Sequence, residues 1–206
     1  NGVADISGNT QLGGTLTVGV DDTGHDVKFF GATSGEYMLW DESEDALRLT
    51  DNTQLRLGTG NDLRFFHNGT NSYAVNYNGD FYISNNAADK DLIFQCDNGS
   101  GGEETYFFLD GSANTSGSPK TIFPDNSHLA LGNSGDFFMY HDGTDTILDN
   151  LTGNITIQNK SDDKDIIFQC DDGSGGTTAY LTLDGSAGYT TVQKNMQFGD
   201  EVSLTV

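Results

Sequence analysis

DKDLIFQCDNGSGG at residues 89–102 recurs 74 residues later as DKDIIFQCDDGSGG at residues 163–176, with 12 of the 14 positions identical. Working outward, residues 51–113 align without a gap to 125–187, and 31 of those 63 pairs are identical. Leu55, Leu57 and Gly58 return as Leu129, Leu131 and Gly132, and His67, Gly69 and Thr70 return as His141, Gly143 and Thr144. An earlier partial copy lies 36 residues upstream, where TGHDVKFFGATSGEY (23–37) matches TGNDLRFFHNGTNSY (59–73). KNMQFGD (194–200) resembles the opening of another copy. A chain that repeats on this scale stacks similar modules along one axis. The expected organisation is a partial repeat over 1–50, full units over 51–124 and 125–187, and the start of a further one over 188–206.

Inside each unit the local signals are strand and turn. Asn-Gly or Asp-Gly begins at Asn68, Asn78, Asn98, Asp110, Asp142, Asp172 and Asp184, dipeptides that favour the positive φ of tight hairpin turns. Between them lie short β-rich runs: DLRFF, SYAV, DFYIS, DLIFQC, TYFFL, NITI, DIIFQC and AYLTL. Asn154–Ile157 and Tyr180–Leu183 alternate polar with apolar, whereas Tyr106, Phe107, Phe108 and Leu109 are apolar on both faces and predict burial on both sides. No window has the pattern of an amphipathic helix. The best helix candidate, YMLWDESEDALRL at 37–49, reads better as a hairpin turning at 41–45. The fold class is all-β.

Composition narrows function. Leu, Ile, Val and Phe supply 47 of 206 residues, just above the range of disordered chains, and the regular patterning argues for a folded one. Acids outnumber bases 31 to 9, a formal charge of −22, which opposes binding to nucleic acid or anionic lipid. No stretch approaches the ~18 apolar residues of a membrane span, so membrane insertion is not expected. The first residue is Asn1, and the end falls partway through a repeat, so the sequence reads as a segment of something longer. Few apolar residues, 27 glycines and strand edges in need of partners make an awkward isolated monomer. Intertwining identical chains about a common axis completes both faces and edges. An elongated, repeat-built homotrimeric fibre is the expected architecture, with a single-chain β-solenoid as the alternative.

Several residues invite chemistry. His67 and His141 sit in matching contexts, FFHNGT and MYHDGT, and histidines facing a symmetry axis can ligate a metal. Each also precedes a tight turn whose backbone it can hydrogen-bond, and Gly31 in the partial copy shows that the histidine is dispensable there. The acidic glycine-rich stretches at 21–26, 96–104 and 170–176 lack the alternating spacing of an EF-hand loop, and LGTGNDL at 57–63 lacks a nine-residue period; turn formation is the simpler reading. Cys96 and Cys170 occupy equivalent slots one repeat apart, and are expected to be buried thiols rather than a disulfide. Trp40, Tyr37, Tyr73, Tyr77 and Tyr82 can stack on sugars, but core or inter-chain packing is the preferred role. No GxSxG, HExxH or P-loop occurs. No catalytic, metal or cofactor residue is assigned, and no enzyme is expected.

The stretches at 55–73 (LxLGxGxDLxxxHxGxxSY), 37–49 and 89–113 (DKDLIFQ…LDGSA) resemble the repetitive shaft regions of bacteriophage tail fibres and related virion proteins, marine phages in particular. The resemblance implies a homotrimeric, rod-like β-structure in the virion. It would connect other tail proteins to a receptor-binding tip and so support host adsorption, with host cell-surface glycan a possible contact. It brings no catalytic residues. The alternative is a repeat-built bacterial surface adhesin that binds glycans through its turn loops.

Overall fold

The computed structural model describes residues 6–113 and 117–197, and among them the fold is all-β. Fifteen strands form five separate three-stranded antiparallel meanders. The chain divides into two units, Asn1–Ser84 and Asn85–Val206.

The first unit holds two sheets. One comprises β1 (Val27–Phe30), β2 (Tyr37–Asp41) and β3 (Ala46–Leu49); the other comprises β4 (Leu55–Leu57), β5 (Leu63–His67) and β6 (Ser72–Asn76). Residues 37–49 thus form the hairpin. Its turn is closed by Asp41, which accepts hydrogen bonds from Ser43 Oγ (2.9 Å) and Arg48 Nη1 (2.8 Å), while Asp45 takes a positive φ of 50°.

The second unit holds three sheets. They are β7 (Leu92–Asp97), β8 (Glu103–Asp110) and β9 (Lys120–Ile122); β10 (Leu129–Leu131), β11 (Phe137–His141) and β12 (Thr146–Asn150); and β13 (Ile166–Asp171), β14 (Thr177–Asp184) and β15 (Tyr189–Val192). Registers coincide at the 74-residue offset: Leu55 opposes Phe65 as Leu129 opposes Met139, and Leu92 opposes Leu109 as Ile166 opposes Leu183. Even the irregularity recurs. The β7–β8 register shifts between Phe94 and Gln95, and the β13–β14 register between Phe168 and Gln169. Each bulge accommodates one extra residue on the partner strand, Tyr106 or Tyr180. The two phenols donate to the strand-end carbonyls of Asp97 and Asp171.

One device makes most of the turns. An Asp or Asn side-chain oxygen accepts the amides two and three or four residues ahead, mimicking a backbone turn. Asn68 does so for Thr70 and Asn71, Asp142 for Thr144 and Asp145, and Asp184 for Ser186 and Ala187. Gly69, Gly99, Gly143 and Gly173 have the positive φ expected of their turns, but Gly111 and Gly185 do not. Those two are required for a different reason: a Cβ on either would overlap the carbonyl oxygen of Lys90 or Lys164.

Three sequence expectations are corrected. DFYIS and NITI are not strands: residues 77–91 and 151–165 contain no strand element. The doubly apolar run in β8 is not enclosed, since Tyr106 is 49% and Leu109 43% exposed. Cys96 and Cys170 are free and exposed rather than buried. The cause in the cysteines' case is sheet width. β9 pairs only with residues 108–110, so Cys96, opposite Glu104, lies on a two-stranded ribbon with no third strand to cover it.

Within neither unit does one sheet lay a face over another among the described residues, and the substantial strand-to-strand contacts all fall inside a sheet. Leu39 is the sole buried hydrophobic residue described.

Gly111→Ala and Gly185→Ala should each lower stability by about 1–3 kcal/mol through the forced overlap. Gly14→Ala, whose Cβ meets nothing within 4 Å, should change it by less than about 0.5 kcal/mol. Denaturant unfolding of the three variants checks this ordering.

Candidate functional site

Opposed residues of an antiparallel pair share a face, so the registers assign side chains to faces directly. In the first sheet Val27 opposes Trp40 and Trp40 opposes Leu47, while Phe29 opposes Met38 and Met38 opposes Leu49. These six apolar residues form one face without a charge, and Phe29, Trp40 and Leu47 are 56%, 42% and 61% exposed. The opposite face carries Lys28, Phe30, Tyr37, Leu39, Asp41, Ala46 and Arg48. There Lys28 Nζ lies 4.3 Å from the Tyr37 ring centroid and Arg48 pairs with Asp41. That face therefore holds polar and cation–aromatic pairs of its own beside one open aromatic, Phe30 at 79% exposure, whereas the first is apolar throughout.

The same asymmetry returns at the homologous positions. Leu55, Leu57, Leu63, Phe65 and Ala74 share a face of the second sheet; Leu129, Leu131, Phe137, Met139 and Leu148 share a face of the fourth. The other face of the second sheet buries contact locally, with Phe66 stacked on Tyr73 at 4.8 Å and Arg64 lying 4.4 Å from the Tyr77 ring. Contiguous exposed apolar patches of this kind mark interaction surfaces.

The histidines stand at the ends of these faces. His67 Nδ1 is 3.0 Å from Asp51 Oδ1 and 3.1 Å from the Gly69 amide nitrogen; His141 Nδ1 is 2.9 Å from Asp125 Oδ1 and 3.1 Å from the Gly143 amide nitrogen. A single ring nitrogen either donates to the carboxylate or accepts from the amide, according to its tautomer. Both pairs are exposed. The aspartate partner escapes a sequence search focused on the turn, although Asp51 and Asp125 recur at the same 16-residue distance ahead of the histidine. No group of three or more His, Cys, Asp or Glu placed to hold a metal occurs among the described residues.

The acidic loops spend their oxygens on backbone amides. Asp97 accepts from Gly99, and Asn98 from Ser100 and Gly102; Asp171 accepts from Gly173, and Asp172 from Ser174 and Gly176. The aromatic candidates are not gathered into one platform. Trp40 lies on the uncovered face, Tyr37, Tyr73 and Tyr77 are each engaged by a different neighbour, and Tyr82 is 82% exposed. A separate hollow of about 580 Å³ in the second unit is lined by Asn98, Glu104, Tyr106, Asn126 and His128 among others. Sequence reading did not anticipate it, because it draws together β8 and the 124–128 connection. Ser127 Oγ donates to the Tyr106 carbonyl there, and the His128 ring stacks on Tyr140 at 3.9 Å.

No family model matches the chain, and no curated protein or solved structure matches it either.

Hydrogen bonds to turn amides and hydroxyls stabilise ionised carboxylates. Asp142 is pulled below its ordinary value of 3.8 chiefly by the Asp145 and Thr144 amides, and Asp172 chiefly by the Ser174 hydroxyl and amide. A carboxylate depressed in the folded state adds stability that is complete above its unfolded pKa and is lost as pH falls through the folded one. The equivalent positions of the preceding copy are Asn68 and Asn98, neutral side chains that accept the same hydrogen bonds. The double variant D142N/D172N should therefore keep its stability at neutral pH and lose less of it than the parent below about pH 4. Acid titration followed by circular dichroism checks this; an unchanged acid limb would contradict it.

Proposed function

We propose that this chain is a structural segment of a phage tail fibre. In that reading three copies intertwine into an elongated shaft of the virion, which links other tail proteins to the host-contacting end and supports adsorption without catalysis. The observation that carries the reading is the set of uncovered apolar faces at homologous places in successive sheets. Large hydrophobics on those faces stay open to water, with Phe29 56%, Leu47 61%, Leu131 54% and Leu148 58% exposed, and contiguous patches of that kind mark interaction surfaces. Obligate assembly of identical chains accounts for those open faces and for their recurrence. The number three, the virion and the adsorption role come from the likeness of residues 37–49, 55–73 and 89–113 to tail-fibre shafts.

Light scattering with sedimentation tests it. The expected particle has about three times the 22.1 kDa chain mass and high frictional drag. A compact particle of one chain would overturn the assembly and shift the argument to a single-chain solenoid.

The second reading, a glycan-binding adhesin module, is favoured by the hollow at Tyr106, where an aromatic side chain 49% exposed adjoins Asn98, Glu104 and His128. Stacking plus polar contacts of that kind suits a sugar. Glycan-array binding that is lost in Tyr106→Ala would support the adhesin; no binding on a broad array would leave the shaft.

A further inference from the structure

Two segments of this chain look like strands in sequence and have no ladder. Residues 80–84, DFYIS, and 154–158, NITIQ, are homologous across the 74-residue offset. Both are rich in the β-branched and aromatic residues that favour strands and have the usual strand length of about five. Yet among the described residues neither segment makes a backbone hydrogen bond. Their apolar side chains face water: Phe81 is 44%, Ile83 58%, Ile155 55% and Ile157 63% exposed.

Both ends of each segment are tied. On entry, Asn76 Nδ2 donates to the carbonyls of Asn78 and Gly79, and Asn150 Nδ2 donates likewise to Thr152 and Gly153. The following amides, Tyr77 and Leu151, donate to the carbonyls of Asp62 and Asp136, at the start of the neighbouring strand. These bonds hold the chain in an exit turn and use the carbonyls on which a tight hairpin back along β6 or β12 would draw. On departure, Asn85 Nδ2 donates to Asp91 O and Asn159 Nδ2 to Asp165 O, at 2.8 and 2.9 Å. A five-residue run without backbone hydrogen bonds is thus bounded at each end by a hydrogen-bonded turn, twice, in the same way.

We propose that residues 80–84 and 154–158 are donated strands, each adding to the open sheet edge of a second copy of this chain. The occupant follows from supply and demand within the molecule. Among the described residues every three-stranded meander has two edge strands with no further strand paired to them, edges that leave polar groups in need of partners, and identical chains offer matching donors and acceptors at each 74-residue step. Strand addition uses main-chain hydrogen bonds for affinity and alternate side chains for fit, so Phe81 with Ile83, and Ile155 with Ile157, would extend the apolar face of the acceptor sheet. This inference rests on the assembly proposed above and specifies how the copies interlock: by shared ladders, beyond contact between faces.

Hydrogen–deuterium exchange of the full chain, read by overlapping peptides at a concentration where light scattering gives a multi-chain particle, tests it. The expected result is that amides within 80–84 and 154–158 exchange at least about 100-fold more slowly than in an unstructured peptide, comparably to β5 and β11. Free exchange of both segments inside a multi-chain particle would overturn strand donation while leaving assembly by faces intact. A single-chain mass would remove the assembly itself. Protection at single-chain mass would place the partner edge within the same chain and would overturn both.

Discussion

A single-layer sheet three strands wide cannot enclose a core, and that constraint governs everything else in this molecule. Its central strand is flanked on both sides, yet each face remains open unless a second layer covers it. In the first sheet the chain resolves most of one face by itself, with Lys28 over Tyr37 and Arg48 on Asp41, and leaves Phe30 open there at 79% exposure. The other, from Val27 to Leu49, is left wholly apolar. Leu39 is buried because it lies on the resolved face. The rest of the apolar inventory is left open to water; in the proposed assembly identical chains would cover it.

Charge is arranged so as not to oppose this. The net −22 would drive copies apart if it lay on the surfaces where they meet. Five of the 31 acids sit in hairpin turns, where Asp97, Asp142, Asp171, Asp172 and Asp184 accept turn amides. The face formed by Val27, Phe29, Met38, Trp40, Leu47 and Leu49 bears no charge. Repulsion between turns is screened over about 8 Å at physiological salt, whereas burial of the faces is contiguous and additive at about 25 cal/mol per Å².

Much of the fold was legible because it is built from local rules. Asn68-Gly69, Asn98-Gly99, Asp142-Gly143 and Asp172-Gly173 close hairpins as their dipeptides dictate, and residues 37–49 fold back at 41–45. What escaped was the part decided by non-local geometry. Asn78-Gly79 carries the same signal and φ of 70°, but the Asn76 side chain captures its carbonyls and the chain leaves the sheet. Periodicity therefore identified 80–84 and 154–157 as strands without revealing that no partner lies within reach. The thiols of Cys96 and Cys170 were placed inside because free cysteines recurring in equivalent slots usually fill a core, and the short third strand leaves them outside. Gly111 and Gly185 were read as turn-formers, but it is the approach of a lysine carbonyl that excludes a side chain there. For the interaction surface, the residues were evident one by one. Their alignment on a single face, and the His–Asp pairs at its end, depend on register, which a list of strands does not contain.

Trp40 is the one tryptophan of the chain and stands in the middle of the uncovered face of the first sheet, 42% exposed in a single copy. Its fluorescence reports directly on whether that face is covered in solution. Acrylamide is the appropriate quencher, because a neutral molecule is not repelled by so acidic a surface. Completion of the apolar faces by further copies requires a blue-shifted emission that resists quenching and turns red and quenchable when the particle is dissociated. A water-like, freely quenched Trp40 in the native particle would contradict the account at its centre.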